Sequence, residues 1–569
     1  MKNTLLIAIS AFALLISSCG SETPEQRTAV GGKLYGGEFK FMSSERVDNL
    51  FPISSVDVYS QRLNAQIYEP LLKLDVQSMK VVPSIAESYK VSEDAKTFTF
   101  KIRKGVKFHA DDCFDGDGRE LTVEDVKYTL EMACSGLKIN KMSYLLVNRI
   151  QGAKEFYRKS KKALPPSGIS GIKIIDNSTL EIKLIESFIG FDKILTHTNL
   201  GIFPKEAFDM YGDEIKKHPV GTGPFILETM DANGISLKRN PVYWRKDALG
   251  NQLPFLDKVI MSYAKDKKSE LLAFRKKEID LVLEIPVEDI ENILGSLKDA
   301  QAGKNIIHKV ESNSSMSMNY IAFANESVEF KNVDVRRAFN LAINRTEIVE
   351  KYLLGEGWAA NKGFVPAMDN FSDESVNGPK MNVGQAQKLL AKAGYPGGKG
   401  FPALDFYVNA IEGSAPHKMC IGVADQIKKN LGINLHIKLC TINQQDKAIA
   451  KGKAKIWRSG WIADYPDAEN FLSLFYGGNI HENSADVNAF RFRNKQYDAL
   501  FVKAFRELDD KKRNDLFAKC DQMIVDQAPV LPILTDDFMV MINARVRDFQ
   551  TNSMENLDFS SIFIKEPRK

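Results

Sequence analysis

Stretches of period-two alternation along this chain are interleaved with stretches of helical spacing. Lys96-Thr97-Phe98-Thr99-Phe100-Lys101-Ile102-Arg103 makes every second side chain apolar, the pattern of a strand with one buried face. Residues 171–177 and 178–184 alternate on either side of Asp176-Asn177, which predicts a hairpin. Thr122, followed by Glu124 and by Asp125 three positions on, opens a helix with a capping box. Residues 333–352 read as one long helix, with Ala338, Leu341, Ala342 and Ile348 on its apolar side. Residues 416–430 read as a helix stopped at Gly432, and 433–439 alternate as the strand that follows. The Gly- and Pro-rich stretch 395–402 is a surface loop. No repeat is visible, so the pattern predicts a mixed α/β chain of several domains.

The N-terminus departs from that pattern. Lys2 precedes an apolar run over 5–16, and Ser17-Ser18-Cys19-Gly20 follows it. This is the layout of a secretory signal, too short to span a membrane. Its end resembles the bacterial lipobox, in which Cys19 becomes the lipid-modified first residue; the alternative is an ordinary cleaved signal with an incidental Cys. Residues 1–18 are then the signal peptide and 19–30 a lipid-anchored tether. No later apolar run approaches the ~20 residues of a membrane-spanning helix.

Composition narrows the picture further. The chain has 569 residues, 44% apolar and 26% charged, room for three or four domains of ~150 residues. Its 77 basic and 73 acidic residues leave a net charge of +4, which argues against a general attraction to nucleic acid. Export makes disulfides the natural reading of the remaining cysteines. A strand returning along the helix of 416–430 brings Cys440 beside Cys420, so a Cys420–Cys440 bridge is expected; Cys113 and Cys134 flank one loop-and-helix unit and could pair similarly. Cys520 is left as a buried free thiol.

Templates for catalysis fail one by one. Gly168-Ile169-Ser170-Gly171 misses the last position of a nucleophile elbow, and His481-Glu482-Asn483-Ser484-Ala485 lacks the second zinc histidine. Gly397-Gly398-Lys399-Gly400 lacks the leading Gly and following Ser/Thr of a phosphate loop, and Gly221-Thr222-Gly223 lacks a third Gly. Asp111, Asp112, Asp115 and Asp117 crowd one loop without calcium-loop spacing and read as a solvated turn. No catalytic residue, metal set or cofactor is predicted.

A series of short motifs does carry a resemblance. Tyr68-Glu69-Pro70-Leu71-Leu72, Pro83-Ser84-Ile85-Ala86-Glu87, Ile102-Arg103-Lys104-Gly105-Val106-Lys107-Phe108-His109 and Val220-Gly221-Thr222-Gly223-Pro224-Phe225 stand in the first half. Val335-Arg336-Arg337-Ala338, Ala342-Ile343-Asn344-Arg345 and Gly460-Trp461-Ile462-Ala463-Asp464-Tyr465-Pro466-Asp467 stand in the second. In this order they resemble the family-5 extracellular solute-binding proteins of bacterial ABC importers, the oligopeptide/dipeptide/nickel type. Two departures are local: the loop 110–120 is expanded, and Asn344 replaces the family's Asp.

The resemblance implies an α/β, two-lobed periplasmic-binding-protein-like fold (type II, cluster C) with an extra inserted domain. Lobe I would comprise 31–68, 200–312 and 536–569, the inserted domain 69–199, and lobe II 313–535. It implies a lipid-anchored peptide-binding protein, monomeric and on the extracytoplasmic side of a bacterial membrane. This protein would serve an ABC permease with separate ATPase subunits and bind no nucleic acid. Another cargo (nickel chelate, haem, glutathione or sugar) is the alternative within the fold; a sensor or chaperone lipoprotein is the alternative outside transport. Asp464 would pair with the ligand's α-ammonium and Trp461 would wall the peptide. Arg458 would meet the C-terminal carboxylate, and Gly460 would admit the peptide backbone. Tyr144 would add an aromatic contact, and Val56, Asp57 and Val58 a backbone-pairing segment.

Overall fold

The structure is a computed structural model and describes residues 27–283, 308–368, 371–480 and 487–565. Cys19, the expected signal peptide and the start of the tether lie outside them. Among the described residues the strands gather into three large sheets. The first has seven strands, in the order Phe225–Met230, Gly234–Arg239, Lys258–Tyr263, Glu38–Ser43, Leu281–Leu283, Asp537–Asn543, His308–Ser314. The second has six, in the order Trp358–Ala359, Val530–Thr535, Ser317–Phe323, Ile456–Ile462, Leu404–Asn409, Leu435–Cys440. The third is a four-stranded antiparallel sheet, Ala86–Val91, Thr97–Ile102, Thr179–Lys183, Ile172–Asp176. The alternation at 96–103 is honoured: Phe98, Phe100 and Ile102 are buried. Asp176 pairs with Thr179 across the turn of the predicted hairpin.

Two lobes follow from where the chain crosses between sheets. His308–Ser314 of the seven-stranded sheet runs almost directly into Ser317–Phe323 of the six-stranded one. Val530–Thr535 returns through Asp536 into Asp537–Asn543. The crossings are bonded to each other, Ser315 N donating to the Asp536 carbonyl at 2.9 Å. The second lobe packs both faces of its sheet. Met318, Tyr320 and Trp457 belong to the core on one side, and Ile321, Phe323 and Ile456 to the core on the other.

Three expectations are corrected. The helix over 333–352 is broken: Val333–Leu341 ends at Ala342, and Asn344 adopts an extended conformation. There its side chain accepts from Glu347 N at 3.0 Å and caps a new helical segment, a bond that competes with continuation of the helix. Cys420 and Cys440 are free thiols. The helix Ala415–Leu431 does precede the strand Leu435–Cys440, but Cys420 lies in the core on one face of the sheet while Cys440 packs against the core on the other. Cys113 and Cys134 are also free. Cys134 caps the far end of the 11-residue helix Val123–Ala133, about 16 Å in length, whereas the loop carrying Cys113 is tied to its near end by Arg119–Asp125. Cys520 is a buried free thiol.

No described helix is long and apolar enough to cross a membrane, and no group of three or more described His, Cys, Asp or Glu side chains is placed to hold a metal.

Candidate functional site

A cleft of about 420 Å³ opens between the lobes. The first lobe contributes Val56 and, at the start of the helix Val58–Ile67, Val58 and Arg62; residues 196–198 enter from the segment after the four-stranded sheet. The second lobe contributes 317–319 and 458–464. Those two stretches face each other because Ser317–Phe323 and Ile456–Ile462 are antiparallel neighbours, Asn319 opposite Gly460 and Met318 opposite Trp461. The strand ends at Ile462 and the chain turns into the helix Ala468–Leu472, capped by Asp467. Asp464 sits on that turn, at the end of a sheet strand.

Asp464 is held by neutral donors. Tyr144 Oη donates to Oδ1 at 3.1 Å and Asn470 Nδ2 to Oδ2 at 3.0 Å. His197 Nδ1 accepts from Asn199 N at 3.0 Å, so the ring proton sits on Nε2, which faces Asp464 Oδ1 at 3.5 Å. Burial, and then the Asp464 carboxylate, hold the Tyr144 hydroxyl well above its usual pKa, so it stays a donor. Asn470 serves twice: its Oδ1 accepts from Asp464 N at 3.0 Å and from Trp461 Nε1 at 2.8 Å, fixing the carboxylate and the indole together. The Asp464 side chain keeps 15% of its surface, so one side stays open.

At the other end, Arg458 Nη2 donates to Asn319 Oδ1 at 2.6 Å, and Asn319 Nδ2 to Asp536 Oδ2 at 2.7 Å. Arg458 Nε is buried without a hydrogen-bond partner among the described residues. A Cβ on Gly460 would come within 3.4 Å of Arg458 Nη2 and 3.5 Å of Asn319 Oδ1, so glycine keeps that floor uncovered.

Six of the eight expected ligand residues therefore line one cleft: Val56, Val58, Arg458, Gly460, Trp461 and Asp464. Tyr144 stands behind Asp464 rather than in the lining. Asp57 is turned away, its carboxylate accepting from Ser60 N at 2.7 Å and Ser60 Oγ at 2.6 Å as the cap of Val58–Ile67. His197, Asn319 and Asn470 escaped the sequence reading. Each is a common polar residue whose partner lies in a different element.

Residues 80–483 match the family of bacterial extracellular solute-binding proteins, family 5. Over 566 residues the chain is 24% identical to the heme-binding protein A of Haemophilus influenzae, covering 96% of this chain and 97% of that one. Over 551 residues it is 26% identical to the periplasmic oligopeptide-binding protein OppA of Salmonella typhimurium, covering 93% and 91%. Among solved structures, the periplasmic binding protein DppA of Helicobacter pylori, in complex with the peptide STSA, superposes with a TM-score of 0.77 at 21% identity, covering 94% of this chain and 99% of that one. The family match spans well over half of the chain and takes in the cleft strand, the turn at Asp464 and the four-stranded sheet, so this protein belongs to the family-5 bacterial extracellular solute-binding proteins.

Proposed function

We propose that this protein captures short peptides between its lobes and delivers them to an ABC permease with separate ATPase subunits. One observation carries the reading: a carboxylate bonded only by neutral donors stands at one end of the cleft, and a guanidinium bonded to a neutral amide, Asn319, at the other. A zwitterion with an ammonium at Asp464 and a carboxylate at Arg458 supplies what each lacks. An unpaired charge in a closed cleft is costly, so both ends favour a charged partner over an apolar one. Trp461 walls the peptide, Gly460 admits its backbone, and Tyr144 acts by orienting Asp464. The 56–58 segment offers backbone groups only, since the Asp57 carboxylate is occupied in capping.

The relatives include both an oligopeptide-binding and a heme-binding protein, so the choice of peptide rests on Asp464, whose open carboxylate asks for the ammonium that a peptide carries and haem lacks. In the same reading the chain is a monomer, tethered through a lipid on Cys19 to the extracytoplasmic side of a bacterial membrane. Its parts are lobe I (31–68, 200–312, 536–569), an inserted domain (69–199) and lobe II (313–535).

Titration calorimetry with trialanine and N-acetyl-trialanine tests the reading. Trialanine binds, and acetylation, which removes the ammonium, weakens binding by at least about tenfold. Equal binding of the two would refute the role of Asp464.

A further inference from the structure

The lobes meet at a second place, outside the cleft, through residues that follow Asp464 in the chain. Tyr465 is 1% exposed and packs into the core of the first half of the molecule rather than that of its own lobe. Asp467, with no exposed surface, is bonded twice by Arg513 of its own lobe, at 2.7 and 2.9 Å. Across the interface Lys193 Nζ reaches Asp467 Oδ2 at 2.9 Å. Glu469 receives Arg149 at 2.8 Å, again from across the interface, and is also bonded by Tyr465 of its own lobe. Phe188 stacks on Phe505 at 4.5 Å, with the guanidiniums of Arg149 and Arg513 at 5.7 and 5.6 Å from its ring.

We infer that Lys193 is an affinity-determining positioning residue that never touches the ligand: it closes the lobes by clamping the turn that carries Asp464. This rests on the capture reading above and adds to it the residue that sets how long cargo is held. Among the described residues the chain crosses between the lobes near 315–316 and at 536, a hinge about which rotation carries 186–197 away from 464–513. Such a rotation breaks Lys193–Asp467 and Arg149–Glu469 but leaves Arg513–Asp467 and Tyr465–Glu469 intact, because each of these pairs lies within one lobe. Opening therefore strands neither anion without a donor, which lets the clamp work reversibly. Asp464 and Asp467 are three residues apart on one turn, so an ammonium on the first and Lys193 on the second fasten the same segment. Arg149 contributes too, but it also donates to the Tyr144 and Leu145 carbonyls, so Lys193 is the cleaner position to change.

The test is small-angle scattering of the ligand-stripped protein, followed by binding of trialanine, for Lys193→Met, Lys193→Glu and Lys193→Arg. The glutamate faces Asp467 with like charge and enlarges the radius of gyration; methionine does so less, and arginine scatters like wild type. Unliganded melting temperatures stay close to that of wild type, since Asp467 keeps Arg513. Trialanine affinity falls about tenfold in Lys193→Met, through faster dissociation. Wild-type scattering from Lys193→Glu overturns the inference, whatever the cargo is. So does a Lys193→Met protein that melts lower but scatters and binds like wild type, which makes the pair a static contact. If wild type does not bind trialanine, the peptide reading fails while the scattering comparison still decides the clamp.

Discussion

The site is built from polar residues that fix one another. Asp464→Asn keeps the size of the side chain but loses the charge, so trialanine affinity should fall by about tenfold or more while the melting temperature stays near that of wild type; calorimetry and a thermal melt read both. A second residue carries a pH signature. Asp521 is fully buried and accepts from Phe364 N at 2.7 Å and Val365 N at 3.2 Å. Burial outweighs those bonds and pushes its carboxyl up to about 7. The folded chain then holds this proton more tightly than the unfolded chain, whose aspartate has a pKa of about 3.9. Its contribution therefore lowers stability as pH rises from about 4 to about 7, with no further change above. Asp521→Asn cannot ionise and removes this part of the slope, which melts at about pH 5 and about pH 8 would show. Asp464, Trp461, Arg458 and Gly460 were legible through the family resemblance: they fall in one short segment and reach one cleft. His197 and Asn319 were not, because a side chain's partner across the fold leaves no trace in local spacing; Asn470 lies only six residues from Asp464, but its bonds form only because the chain turns back at 464–467.

At the scale of elements, periodicity reported burial well and breaks poorly. The strand Thr97–Ile102 and the hairpin at Asp176 follow directly from alternation, since one face of their sheet is buried. The segment 333–352 kept helical spacing across Asn344, so its interruption did not show in the pattern. The capping bond to Glu347 N accounts for it, together with Gln426 and Asn430, whose side chains bond the backbone of Asn344 and Ala342. Asn344→Ala should cost about 1 kcal/mol, read by chemical denaturation. The Cys420–Cys440 expectation placed the strand correctly after its helix, but alternation does not say which face of a sheet a terminal residue serves. Cys440 serves the face opposite Cys420. Titration of thiols in denaturant should find Cys113, Cys134, Cys420, Cys440 and Cys520 all reactive without reductant; any shortfall would restore a disulfide.

At the scale of the whole molecule, two short crossings and one turn do most of the arranging. The crossings set two sheets side by side, and the turn 464–469 presents Asp464 to the cleft and Asp467 and Glu469 to the opposite lobe. The lobes and their order were legible through the resemblance, not through hydrophobic patterning. Alternation identifies strands but carries no information about which sheet a strand joins. The ion pairs between lobes were equally hidden, since Lys193 and Asp467 meet only once the chain has crossed from the first lobe into the second.

The central claim is that a peptide's charged end rests on Asp464. Native mass spectrometry of the chain expressed without residues 1–19 and purified gently addresses it directly. The account predicts a ladder of bound masses spaced as amino-acid residues in the wild type and its near-complete loss in Asp464→Asn. A single non-peptide mass, or an undiminished ladder in the variant, would contradict it.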